Sequence, residues 1–187
     1  MSDQREGCRQ KLAPGQWWSF CGETDMGQTL PALCTQCGGD MKLASRIEPD
    51  DIIAAARECM GTPFKHQARM PGVGIDCAGL LVHCFKALGL PHQDELGYPR
   101  TPYDGQLEKI LDSQPSLQRI PVAEAKAGDW LTMRLVRDPQ HIALHAGEIR
   151  GHTYIIHASS ESGKVVHHRL DSLNRARVMG AYRMIKP

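Results

Sequence analysis

Apolar residues fall at helical spacing from about Asp50 onward, with Ile52, Ala56, Cys59 and Met60 sharing one face. The pattern predicts an α-helix capped by Asp50 or Asp51 and ended by Gly61, Thr62 and Pro63. A loop through Pro71, Gly72 and Gly74 leads to Asp76. There a second and better-marked stripe begins: Cys77, Leu80, Leu81, Cys84, Phe85 and Leu88. Asp76 is its expected N-cap, Gly89 its stop, and Leu90 the apolar contact that accompanies a glycine stop. Beyond an irregular stretch at 91–103, broken by Pro91, Pro99 and Pro102, a shorter helix is expected around Leu107, Ile110 and Leu111.

After Pro121 the period becomes that of a strand. Leu131, Met133 and Leu135 alternate with polar neighbours, and Ile142, Leu144 and Ala146 do the same. Turns are expected at Asp138-Pro139 and from Gly147 to Gly151, with further strands at 153–158, 164–170 and 178–184. Helices first and consecutive strands afterwards predict an α+β domain built on an antiparallel sheet. Residues 1–46 show neither period. They are rich in Gly and Cys, carry Trp17 and Trp18, and read as a small Cys-rich segment ahead of a domain at 47–187.

Hydrophobic residues make up 41% of the 187, enough for a real core. Lys and Arg total 22 against 21 Asp and Glu, a balance without the basic excess of a nucleic-acid binder. The short basic clusters, Arg134 with Arg137 and His167 to Arg169, are expected on solvated loops. The first thirty or so residues lack a cationic start followed by an apolar run, so no secretory signal is expected, and no stretch is long enough to span a bilayer.

The seven cysteines are an odd number, so they cannot all pair within one chain. Cys34-Thr35-Gln36-Cys37 is a Cys-x-x-Cys knuckle, with Cys21 and Cys8 before it. Four thiolates could close a structural zinc site, or hold an iron–sulfur cluster. A redox pair or unligated thiols are the alternatives.

Cys77 stands apart. In the first turn of the second helix, unpaired backbone N–H groups and the helix dipole favour a thiolate, and Ala78 and Gly79 leave room beside it. The plain alternative is a small apolar residue in a helix that already holds Cys84. Among nine histidines, His141 opens a strand and His157 ends its expected partner, so the two could sit side by side with the second orienting the first. His145 shares a face with His141 and is its rival as base. A zinc held by Cys77, His141 and His157 would need an acidic general base, which these motifs lack.

Gly61-Thr62-Pro63-Phe64 followed by Asp76-Cys77-Ala78-Gly79-Leu80 resembles the nucleophile region of the NlpC-type cell-wall peptidases. Gly128-Asp129-Trp130-Leu131, His141-Ile142-Ala143-Leu144-His145-Ala146-Gly147 and Ile156-His157-Ala158-Ser159 resemble the family's later motifs, in the same order. The resemblance implies a papain-like fold and hydrolysis of stem-peptide bonds in peptidoglycan, commonly between D-glutamate and a diamino acid. Carried over by position, Cys77 is the nucleophile, His141 the general base and His157 the orienting residue. Phe64 and Asp76 are candidate substrate contacts. Phe64 stands where members usually carry tyrosine, and so lacks that hydroxyl. Such a cycle needs no metal or organic cofactor.

The Lys65–Arg69 loop and the Arg137–His141 turn look most like phage-tail members. The resemblance therefore implies tail-tip or hub proteins as partners, and location in a virion tail, or in the bacterial cytoplasm before assembly. A tail-assembly protein that keeps the fold without turnover is the alternative.

Overall fold

The computed structural model describes residues 47–187; the candidate ligands Cys8, Cys21, Cys34 and Cys37 lie outside them. The first helix, α1, spans Pro49–Glu58 and buries Ile52, Ile53, Ala55 and Ala56. Its N-cap is Glu48, not Asp50 or Asp51, because Pro49 is preset for the first helical position. The two aspartates instead occupy the first turn, where they complement the dipole. Met60, expected on the buried stripe, lies past the helix end and is 42% exposed.

Two short strands, β1 (Arg69–Met70) and β2 (Gly74–Ile75), form an antiparallel ribbon that delivers the chain to α2 (Cys77–Ala87). Oδ1 of Asp76 accepts from Gly79 N–H at 2.8 Å and caps that helix. Gly79 is needed for a second reason. A Cβ there would run into the Ala68 carbonyl and the Ile75 side chain. At the other end Gly89 adopts φ +63°, and its N–H and that of Leu90 bond Lys86 and Phe85 carbonyls. These are the two bonds of a Schellman stop, with Leu90 buried against the core. Helix α3 spans Gln106–Asp112 and buries Leu107 and Leu111.

The sheet contains β3 (Leu117–Ile120), β4 (Trp130–Arg134), β5 (Pro139–Ile149), β6 (His152–Ser159), β7 (Lys164–Arg169) and β8 (Val178–Met184). Its six strands run in the order β3-β8-β4-β5-β6-β7, with every pairing antiparallel. A single helical turn, α4 (Ser172–Arg175), links β7 to β8.

Apolar residues cover both faces. One cluster joins α1, α2 and α3 to Trp130, Ile142, Leu144, Ile156, Ala158 and Tyr182. A smaller one gathers Leu131, Met133, Ala143, Ile155, Leu170 and Ala181 on the opposite face. That is why Trp130, Leu131, Thr132 and Met133 are all buried, where alternation with exposed polar neighbours was expected. Leu135 lies beyond β4 and is 47% exposed. The break expected from Gly147 shrinks to Arg150 and Gly151, because a register shift between His145 and Glu148 lets β5 run on to Ile149.

Candidate active site

Helix α2 packs against β5 and β6, and the N-terminal end of that seam opens into a cleft. Cys77 and His141 both line it, together with Phe64, Asp76, Tyr98 and Gln140. The two are therefore on the same side of the molecule. The backbone of Ile142, next to His141, reaches the Cys77 sulfur, as do the backbone groups of Cys77 and Ala78 at the helix head.

The register sets the histidines. Leu144 pairs with Ile156, which makes His141 and His157 diagonal neighbours on adjacent strands. Nε2 of His141 lies 2.7 Å from Nδ1 of His157. Ile155 pairs with His168, so His168 is in turn diagonal to His157, and their Nε2 atoms are 2.8 Å apart. His168 is thus on β7, not on a solvated loop as its basic neighbourhood suggested. The signal was present in the sequence: strand spacing puts alternate residues of 164–170 on the face that carries His157.

His145, the rival base, is buried, accepts from Gly147 N–H at its Nδ1 and is absent from the cleft lining. Among the described residues, no three His, Cys, Asp or Glu side chains are arranged to hold a metal ion.

Asp76 is 2% exposed and both of its oxygens are engaged. Oδ1 accepts from Gly79 N–H and from Arg69 Nη1 at 3.1 Å; Oδ2 accepts from Gln67 N–H at 2.6 Å and from the Tyr98 hydroxyl at 2.7 Å. Although it borders the cleft, its four donors come from the protein itself, and they tie together the 67–69 segment, the head of α2 and the 91–103 stretch. Arg69 continues the junction to Asp94 at 2.8 Å, and Gln67 and Gly97 bind each other across the same loop. The irregular stretch at 91–103 is in this way fastened beside Cys77. Tyr98 and Arg69 escaped the sequence reading because such a junction has no periodicity.

Burial decides the charge state. It pushes the Cys77 thiol up to about 11, aided by the Asp76 carboxylate and opposed by the backbone groups of Ile142, Ala78 and Cys77. Burial also lowers His141 to about 4, against the pull of Asp76. His157 is lowered to about 3 by burial, then by His141 and His168. Both shifts favour the neutral forms, a thiol on Cys77 and an uncharged imidazole on His141. Desolvation thus works against the thiolate that the helix head favours.

The NlpC/P60 family profile matches residues 61–183. Among solved structures, the NlpC/p60 domain of the peptidoglycan hydrolase SagA is 23% identical, covering 74% of this chain and 100% of that one, with a TM-score of 0.51. An NlpC/P60 family protein of Bacillus cereus is 18% identical over 75% of this chain, with a TM-score of 0.55, and the match covers 41% of its length. A lipoprotein-like NLP/P60 family protein of Staphylococcus aureus is 20% identical over 80%, with a TM-score of 0.51 and 46% of its length covered. At these identities the likeness is one of fold, and this chain spans less than half of the latter two proteins. No curated protein matches it.

Proposed function

This chain belongs to the NlpC/P60 family, and from that premise we propose that it is a cysteine peptidase that hydrolyses stem-peptide bonds in peptidoglycan, between D-glutamate and a diamino acid. The observation that carries the reading is the shared cleft. A thiol at a helix head and an imidazole on the sheet line one opening, and the backbone of Ile142, next to His141, favours the Cys77 thiolate.

In the proposed cycle His141 takes the thiol proton as the Cys77 sulfur attacks the scissile carbonyl. Burial pushes the Cys77 thiol up, which favours transfer of the proton in step with attack. Backbone N–H groups at the head of α2 face the developing oxyanion. The protonated His141 then gives its proton to the leaving amine, and water attacks the thioester with His141 again as base. His157 holds the imidazole ring in place throughout.

The phage-tail setting, with tail-tip or hub proteins as partners and the virion as location, rests on the resemblance of the Lys65–Arg69 and Arg137–His141 segments to tail members. A structural zinc or iron–sulfur cluster on Cys8, Cys21, Cys34 and Cys37 belongs to the same proposal and is tested by metal analysis of the full chain.

The decisive experiment digests purified peptidoglycan with wild type and Cys77→Ala and identifies the fragments by mass. Release of D-glutamyl–diamino acid cleavage products by wild type alone supports the reading. Equal release by both proteins removes it.

A further inference from the structure

The imidazole contacts do not stop at the pair that serves the thiol. His141 Nε2 meets His157 Nδ1 at 2.7 Å, His157 Nε2 meets His168 Nε2 at 2.8 Å, and His168 Nδ1 meets the Arg169 carbonyl oxygen at 2.8 Å. Successive rings are tilted by 76° and 64° at centroid separations of 4.9 and 5.0 Å, an edge-on course across β5, β6 and β7.

A carbonyl oxygen can only accept, so His168 Nδ1 must carry a hydrogen. In a neutral ring its Nε2 is then the acceptor, which obliges His157 to donate from Nε2 and accept at Nδ1. His141 must in turn donate from Nε2, and its lone pair is left on Nδ1. That is the only ring nitrogen of His141 not spent on the chain of histidines, and His141 lines the cleft with Cys77.

We infer that His168 is a positioning residue: anchored on the Arg169 carbonyl, it fixes the tautomers of His157 and His141 so that Nδ1 of His141 is the proton acceptor for the Cys77 thiol. The inference rests on the reading of Cys77 and His141 as nucleophile and base. A carboxylate in third position would set the tautomer of its histidine by being unable to donate. An imidazole can donate from either nitrogen, so His157 alone leaves the direction of the chain open. A terminal group that can only accept closes it, and here the backbone supplies one. With no such end, His157 could offer Nδ1–H to His141, place the His141 lone pair on Nε2 and leave the thiol facing an N–H.

The test records long-range proton–nitrogen correlations of the histidine rings in the full chain, alongside steady-state cleavage of a soluble stem peptide. In wild type His141 should show a protonated Nε2 and an unprotonated Nδ1. His168→Phe should shift the His141 population toward Nδ1–H and lower kcat roughly ten- to hundredfold with KM little changed, as for other orienting partners. His168→Glu, whose carboxylate can only accept from His157, should restore both readouts. Wild type with His141 protonated at Nδ1 overturns the inference whether or not any variant folds. So does His168→Phe with unchanged tautomers and kcat in a protein whose cleavage is lost in Cys77→Ala. Cleavage that persists in Cys77→Ala would instead remove the underlying reading, and the ring correlations would still report the tautomers.

Discussion

Replacing Asp76 by asparagine changes one oxygen into an amide nitrogen at a site that is 2% exposed. If the remaining oxygen keeps the Gly79 and Arg69 contacts, the new NH₂ faces Gln67 N–H and the Tyr98 hydroxyl. The hydroxyl can rotate and accept. The Gln67 N–H cannot, and an orphaned donor in a partly buried place costs about 1–3 kcal/mol. Arg69 keeps Asp94 but exchanges a charged partner for a neutral one, a further loss of about 1 kcal/mol. The sum is roughly 2–4 kcal/mol, or about 5–15 °C in Tm for a domain of this size.

Urea melts followed by circular dichroism measure the loss directly. A second readout is independent of folding. The Asp76 charge raises the Cys77 pKa, so its removal should make the thiol more acidic and speed alkylation at a fixed pH. A stability change below about 0.5 kcal/mol, with alkylation no faster, would refute the account of Asp76 as the buried junction of the site.

Two further outcomes are expected from the charge states. With Cys77 held up to about 11, its alkylation by iodoacetamide should rise about tenfold per pH unit between pH 7 and 10; a flat rate across that range would mean a preformed thiolate–imidazolium pair. His141 and His157 are held near 4 and 3 by the fold, whereas the unfolded chain takes up their protons below about 6.5. The unfolded state therefore binds more protons as pH falls, and stability should be full above about pH 6.5 and decline toward pH 4. Comparing Tm at pH 7 and pH 5 in wild type and His141→Gln/His157→Gln checks this; equal declines in both proteins would assign the acid sensitivity elsewhere.

What the sequence made legible was whatever repeats. The stripe from Cys77 to Phe85 marked α2, and Asp76 and Gly89 marked its ends, because cap and stop are local chemistry. The strands expected at 153–158 and 178–184 are found at His152–Ser159 and Val178–Met184. By contrast β3 was missed, since Leu117–Ile120 is short, half exposed and paired with a strand far along the chain. The same limit hid the Asp76 junction, whose partners lie up to 22 positions away, and the contact of His168 with His157: spacing gives the face of His168, but no local pattern fixes the register that brings the two together. The thiol's surroundings were only half legible for a related reason. The helix head is visible in sequence, but the packing that desolvates the sulfur is not.

The position of β8 between β3 and β4 has a consequence for how the sheet assembles. β3 touches the other five strands only through β8, so residues 117–120 have no edge to add to until residues 178–184 are seated against β4. The amino-terminal half of the domain therefore cannot complete its sheet by local steps alone, and closure waits on contacts far apart along the chain.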